Sequence, residues 1–257
     1  MKLIVTTLMC AVSVFSQTKK FDAESFIKRV RTSYHSFEID TTNQISSFLT
    51  TQGFNSYFSS KTTEKIKFPI TVDWSNVSAI TLNRTEDVLG TSDFAEKQND
   101  VLTLTSFFLQ NWLEFSVNEL IPRQAINYNI SQKGKRVYFS YIVQNGKKFD
   151  RIAKEFALNG LLMDMSVQTS ERFTLKIQPL YRSVGGKWLC VGWFFQKIDQ
   201  NENVVEGMKI DLVQKQIGKN WYPFDARLTI QTAARKGAPV MEQLFFRNYH
   251  LQGAEIN

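Results

Sequence analysis

Few side chains in this chain of 257 residues are of the types that commonly perform acid–base or nucleophilic chemistry. The histidines are His35 and His250, and the cysteines are Cys10 and Cys190. So few residues of either type exclude a metal site rich in histidine or cysteine. The sequence contains no nucleophile elbow, phosphate-binding loop, zinc-protease motif or EF-hand loop. We therefore predict no catalytic residue, no metal and no cofactor, and we do not expect an enzyme.

Each remaining candidate for chemistry has a structural explanation. His35 falls in the last turn of a predicted helix, where a histidine interacts favourably with the helix C-terminus. Cys190 lies in the apolar run 188–191 and is expected to be a small core side chain. Carboxylates such as Asp211 and Asp225 lie at water-facing positions of predicted strands. No pair of carboxylates therefore stands out as a general acid and base.

Composition indicates a folded protein with an unusual excess of one residue type. Hydrophobic residues make up 43% of the chain and charged residues 21%, values that exclude a disordered polypeptide. Phenylalanine occurs 21 times. A chain of this length buries enough apolar surface to fold without disulfide or metal staples. We therefore look for the elements that bring the phenylalanines together.

The first sixteen residues have the pattern of a secretory signal peptide. A basic start at Lys2 precedes a mostly apolar run from Leu3 to Phe15, and Ser16 precedes the predicted cleavage point. The apolar run is too short to span a bilayer. We therefore predict cleavage after Ser16 and export to the periplasm, with residues 17–257 forming one domain. Secretion, or lipid anchoring at Cys10, is the alternative.

Two segments have helical periodicity. From Asp22 to Phe37, apolar residues recur at steps of three and four, which predicts a helix of about four turns. Ser92 is a suitable N-cap for a second helix that continues toward Leu120 and stops before Pro122. Between these helices, residues 41–63 are rich in Ser and Thr and favour either short strands or a loop. Strands are then predicted for 65–74, where Pro69 indicates an edge position, and for 77–82.

The second half of the chain has the pattern of an antiparallel meander. Short turns separate the predicted strands, which forces neighbouring strands to run antiparallel. Several strands alternate apolar and polar residues, so one face of the sheet is expected to be apolar and the other wet. The predicted strands are 135–144, 149–158, 161–169, 172–180, 187–197, 204–217, 221–233 and 240–251.

The predicted fold is α+β and mostly antiparallel β. A twisted sheet with this many strands tends to curl. We therefore expect a curled sheet or open half-barrel, with the N-terminal helix and the mid-chain helix packed on its concave face.

The order of these elements resembles the LolA-like periplasmic lipoprotein carriers. The local similarity is greatest in the C-terminal strands. These are the segment 205–211, the strand with Trp221-Tyr222-Pro223-Phe224 and the last strand, with Leu244-Phe245-Phe246. The resemblance covers nearly the whole mature chain but offers no motif that transfers a binding residue. It implies an open barrel whose apolar cavity takes acyl chains, with the helices acting as a lid. It also implies transport of lipoproteins during outer-membrane biogenesis.

These expectations define candidate residues around an apolar ligand, which would be a lipid, a lipoprotein acyl chain or another long apolar molecule. The alternative is an envelope structural or regulatory protein in which the same residues form a filled core. The sheet side of the expected cavity is Phe139, Tyr141, Phe156, Phe173, Leu175, Trp193, Phe195, Phe224 and Leu228. The lid side is Phe107, Phe108 and Trp112.

The net charge of +7 bears on partners. Basic residues cluster at the two ends of one predicted strand, at 133–136 and at 147–148. Solvated turns are the simpler interpretation, and contact with an anionic membrane surface or an envelope protein is the alternative. Export and the lack of a basic helix argue against nucleic acid as a partner.

Overall fold

The computed structural model describes residues 21–37, 45–62, 67–74, 80–87, 89–116, 119–123, 128–145, 148–169, 172–232, 238–251 and 254–255. The predicted signal peptide, with Cys10 and the cleavage point, lies outside the described residues.

The described residues contain three helices and thirteen strands. The helices are α1 (Ala23–Thr32), α2 (Gln52–Ser59) and α3 (Ser92–Ser116). The strands are β1 (Ile45–Thr51), β2 (Ile70–Asp73), β3 (Thr81–Arg84), β4 (Asn129–Lys133), β5 (Arg136–Asn145), β6 (Lys148–Ala157), β7 (Leu162–Gln168), β8 (Thr174–Val184), β9 (Lys187–Ile198), β10 (Val204–Ile217), β11 (Asn220–Thr232), β12 (Val240–Leu251) and β13 (Ala254–Glu255).

All of these strands belong to one antiparallel sheet. Its order is β3-β2-β1-β12-β11-β10-β9-β8-β7-β6-β5-β4, with β13 paired to β12. The run from β4 to β12 is the predicted meander, with β4 as an additional strand that the sequence pattern did not indicate. The sheet curls but stays open between β3 and β4, and the helices pack on its concave face. The predicted α+β class and curled, open architecture are confirmed.

Helix α1 is shorter than its periodicity predicted, because the chain after it forms backbone hydrogen bonds with a distant strand. Asp22 caps its start by accepting a hydrogen bond from the Ser25 amide at 3.1 Å. After Thr32, the Trp188 amide donates to the Ser33 carbonyl at 2.7 Å, and the His35 amide donates to the Trp188 carbonyl at 2.9 Å. This bridge to β9 ends the helix. His35 therefore lies beyond the helix and not in its last turn, with Nε2 2.8 Å from the Val184 carbonyl oxygen.

The Ser- and Thr-rich region 41–63, for which the sequence favours short strands or a loop, contains the strand β1 and also helix α2, which the pattern did not predict. The Thr51 hydroxyl accepts from the Phe54 amide at 3.1 Å and so caps the helix. Phe54 and Phe58, four residues apart, are both buried. The cap followed by this pair was the available signal for a helix.

The early strands extend the sheet beyond the last strand of the meander. β1 pairs with β12 on one side and with β2 on the other. β2 is therefore an internal strand, and the edge position that Pro69 indicated was wrong. Pro69 lies just before β2, where its missing amide proton removes no bond of the ladder. Its carbonyl accepts from the Thr85 amide at 3.0 Å.

Candidate functional site between the third helix and the sheet

The candidate site is the apolar interior that α3 covers. Along α3, the positions Val101, Thr105, Phe108, Trp112 and Phe115 recur at steps of three and four and are all buried. This spacing places them on one face of the helix. That face points at the concave side of the sheet.

Aromatic side chains of α3 contact aromatic side chains of β9 directly. Phe108 stacks on Trp193, with ring centroids 5.8 Å apart and an interplanar angle of 21°. Phe115 lies 5.7 Å from the same Trp193 ring, and Phe107 meets Phe195 edge-on at 6.1 Å. These are the separations of rings in van der Waals contact. In this region the helix and sheet aromatics meet without a gap between them.

A second aromatic group continues the layer toward the early strands. Trp112 contacts Trp74 edge-on at 5.6 Å and Phe37 at 5.8 Å. Trp74 in turn lies 5.6 Å from Tyr222 and 5.9 Å from Phe246. The layer therefore reaches from β9 across β11 and β12 to the chain just after β2.

The structure places ten of the twelve predicted site residues in or against this core. Phe173 and Phe224 are the exceptions. Buried core residues are Phe108, Trp112, Phe139, Tyr141, Phe156, Trp193, Phe195 and Leu228, and partly buried ones are Phe107 and Leu175.

Phe224 leaves the core because of a β-bulge. In the pairing of β10 with β11, Val213 faces Asp225 and Gln214 faces Pro223, so Phe224 is the extra residue. Its ring lies 4.1 Å from the guanidinium of Arg247, in cation–π contact. The simple alternation from Tyr222 to Ile230 therefore breaks at this point.

Phe173 lies just before the start of β8 and is not part of the apolar core. The ammonium of Lys197 lies 4.3 Å from its ring centroid. Phe173 also lines a groove of about 740 Å³ with Arg151, Arg172 and Lys176. A neighbouring groove of about 570 Å³ shares Arg151 and Lys176 and is lined mainly by polar residues that alternate with core residues along β4 to β8. Both grooves therefore open on the wet face and not under α3.

Two polar atoms lie within the aromatic layer without a hydrogen-bond partner among the described residues. They are the Trp193 Nε1 and the Thr105 Oγ1, and both side chains are completely buried. Trp112, by contrast, donates from Nε1 to Gln214 Oε1 at 3.3 Å. A buried polar atom without a hydrogen-bond partner lowers stability, so Trp193 and Thr105 each carry an unsatisfied polar atom inside the apolar interior.

A buried ion pair lies where α3 ends. The Lys154 Nζ is 2.7 Å from Glu114 Oε1 and donates to the Leu120 carbonyl at 3.0 Å. The Lys154 side chain is 0% exposed and that of Glu114 is 28% exposed. The Lys154 ammonium also lies 5.8 Å from the Tyr141 ring. Lys154 shares its face of β6 with Ile152 and Phe156, two residues away on either side, so its position on the apolar face was a signal that sequence reasoning missed.

Phenols and a thiol surround this end of the interior. Burial, followed by the charge of Glu114, raises the pKa of Tyr141. Burial raises the pKa of Tyr181 well above its ordinary value, with smaller contributions from Cys190, Tyr34 and Glu114. Burial raises the pKa of the Cys190 thiol to about 12. All of these groups are therefore protonated near neutral pH.

The described residues include no cluster of three or more His, Cys, Asp or Glu side chains that could hold a metal ion. Among the same residues, no helix combines the length and the apolar character needed to cross a membrane.

The fold and the interior define the molecule as a curled, open antiparallel sheet with an aromatic core under a long helix. Comparison with family models, with curated proteins and with solved structures finds no match for this chain.

Proposed function

We propose that this protein is an exported, non-enzymatic binder or carrier of a long apolar ligand, such as a lipid or a lipoprotein acyl chain. The ligand binds between α3 and the concave face of the sheet. The resemblance to LolA-like carriers seen in the order of elements points the same way. The observation that carries the proposal is the continuous aromatic layer on both of these surfaces.

The contacts of α3 with the sheet are of a kind that an acyl chain can replace. Phe108, Phe115 and Trp193 interact through non-directional apolar contact. An acyl chain contributes about 0.8 kcal/mol for each methylene that it buries, so it can compensate for aromatic contacts that α3 gives up. The unsatisfied Trp193 Nε1 and Thr105 Oγ1 offer polar contacts along the same layer. These contacts favour a binding mode in which the ligand takes the place of α3 side chains against the sheet.

Native mass spectrometry of the protein purified from the periplasm of its producing cells tests this function. We expect a co-purifying lipid mass, and saturable binding of a fluorescent long-chain fatty acid by the delipidated protein. Phe107→Ala, on the half-buried side of α3, should change the affinity, whereas Phe194→Ala on the wet face should not. A homogeneous apo mass together with no uptake of the fluorescent probe would contradict the proposal.

The second candidate is an envelope structural or regulatory protein with a filled core. The observation that favours it is the direct contact of Trp193 with both Phe108 and Phe115. Crosslinking in the envelope that recovers one stoichiometric partner protein, with no lipid in the purified material, would support this candidate over the carrier.

A further inference from the structure

Lys154 is a charged residue at a position that packing assigns to an apolar side chain. On β6 its register partners are Phe139 on β5 and Met165 on β7, and both are buried. Its own side chain is completely buried. Replacing a buried ion pair by apolar residues of similar volume is often neutral or stabilising. Stability alone therefore does not explain a lysine at this position.

The two members of the ion pair differ in their access to water. Lys154 is enclosed, whereas Glu114 remains partly exposed on the last turns of α3. The Glu114 carboxylate can therefore be hydrated when it leaves the pair, but the ammonium cannot. Whenever Glu114 turns away, Lys154 needs another anion to replace it.

We infer that Lys154 is the recognition group for a carboxylate at the end of the apolar ligand, which exchanges with the Glu114 carboxylate on the Lys154 ammonium. The inference rests on the proposed function and specifies its ligand class. That class is a long-chain carboxylate, such as a free fatty acid, and not an esterified or amide-linked acyl chain.

The surroundings of Lys154 suit such a carboxylate. The Leu120 carbonyl keeps one ammonium proton engaged, which leaves the others for the incoming anion. The Tyr181 hydroxyl is buried without a hydrogen-bond partner among the described residues, and its pKa responds to the charge of Glu114. The charge of Glu114 also contributes, after burial, to the raised pKa of Tyr141. Because both phenols stay protonated, neither adds a negative charge that would repel the carboxylate.

The test compares binding of a fluorescent fatty acid with binding of its methyl ester, which has the same chain and no charge. The wild-type protein should bind the acid at least about tenfold more tightly than the ester, the ratio expected for one buried charged hydrogen bond. In Lys154→Met the preference should disappear while the affinity for the ester is retained. Lys176→Met, on the wet face, is the matched control and should keep the preference.

A second variant keeps the inference testable even if Lys154→Met does not fold. Glu114→Gln removes the competing carboxylate, so the acid should bind more tightly than to the wild type while the ester is unaffected. Equal affinity of the wild type for acid and ester would overturn the inference and leave the proposed function standing. Binding of neither probe, by any of the folded proteins, would overturn both.

Discussion

Besides the ion pair of Lys154 and Glu114, the interior contains buried phenols and a thiol, and their raised pKa values affect stability at alkaline pH. Burial raises the pKa of Cys190 from 9.0 to about 12, and it raises the pKa of Tyr34, Tyr141, Tyr181 and Tyr249 above 10.0. The unfolded chain therefore loses these protons at lower pH than the folded chain does. The stability that they contribute is fully present below about pH 9 and is lost as the pH rises above 9 to 10.

We predict that the urea midpoint of unfolding falls steeply between pH 8 and pH 11. Tyr181→Phe should be as stable as the wild type at pH 8 or more so, because the hydroxyl that it removes has no partner among the described residues. At pH 11 it should lose less stability than the wild type does. Identical pH profiles for the two proteins would contradict this assignment.

Gly192 occupies a position that no other residue fits. Its φ is +149°, and a Cβ built there would overlap the carbonyl oxygen of Ile210 on the neighbouring strand. The glycine follows a bulge in β9, where Leu180 faces Gly192 and Tyr181 faces Cys190. Two strands can therefore approach closely at this point only because the residue lacks a side chain.

Gly192→Ala should lower the free energy of unfolding by about 3 kcal/mol, as measured by urea denaturation. Gly185→Ala is the control, since Gly185 also has a positive φ but open space around it. It should cost about 1 to 2 kcal/mol, the cost of a side chain in the left-handed region. Equal losses for the two variants would show that backbone strain, and not the contact with Ile210, determines the effect.

Among the described helices, α3 brings more aromatic rings into contact with the sheet than α1 or α2 does. Its adjacent residues Phe107 and Phe108 provide a matched pair, because Phe108 is completely buried on Trp193 and Phe107 is only partly buried. Phe108→Ala should lower the free energy of unfolding by about 3 to 5 kcal/mol, and Phe107→Ala should cost clearly less. Comparable losses in urea denaturation would contradict the orientation of α3.

Local sequence patterns predicted the elements only as far as local interactions determine them. The meander strands follow from alternation and short turns, so their positions agree closely with the predicted ranges. α1 was predicted too long because its end is set by pairing of Ser33 and His35 with Trp188, which lies more than a hundred residues away. The bulge at Phe224 has the same kind of origin, because the register of β10 against β11 determines it.

At the scale of the whole molecule, the predicted export can be tested directly from the N-terminus and the intact mass of the mature protein. We expect the protein recovered from the periplasm to begin at Gln17, with an intact mass that corresponds to removal of residues 1–16. Mutation of Ser16 to a bulky residue should block processing and leave the precursor, because the cleavage position requires a small residue. A recovered protein that retains Met1, or one that carries lipid on Cys10, would overturn the predicted cleavage.

The sequence by itself determined the α+β class, the antiparallel meander, the apolar faces of its strands and the core position of ten of the twelve candidate residues. Each of these depends on alternation, helical spacing or turn chemistry within a short stretch of chain. The tertiary structure alone decided that β1 joins β12, that Phe173 and Phe224 lie away from the core, and that Lys154 meets Glu114 inside it. These features depend on which distant segments pack together, and the free energy of that packing is not contained in any local pattern.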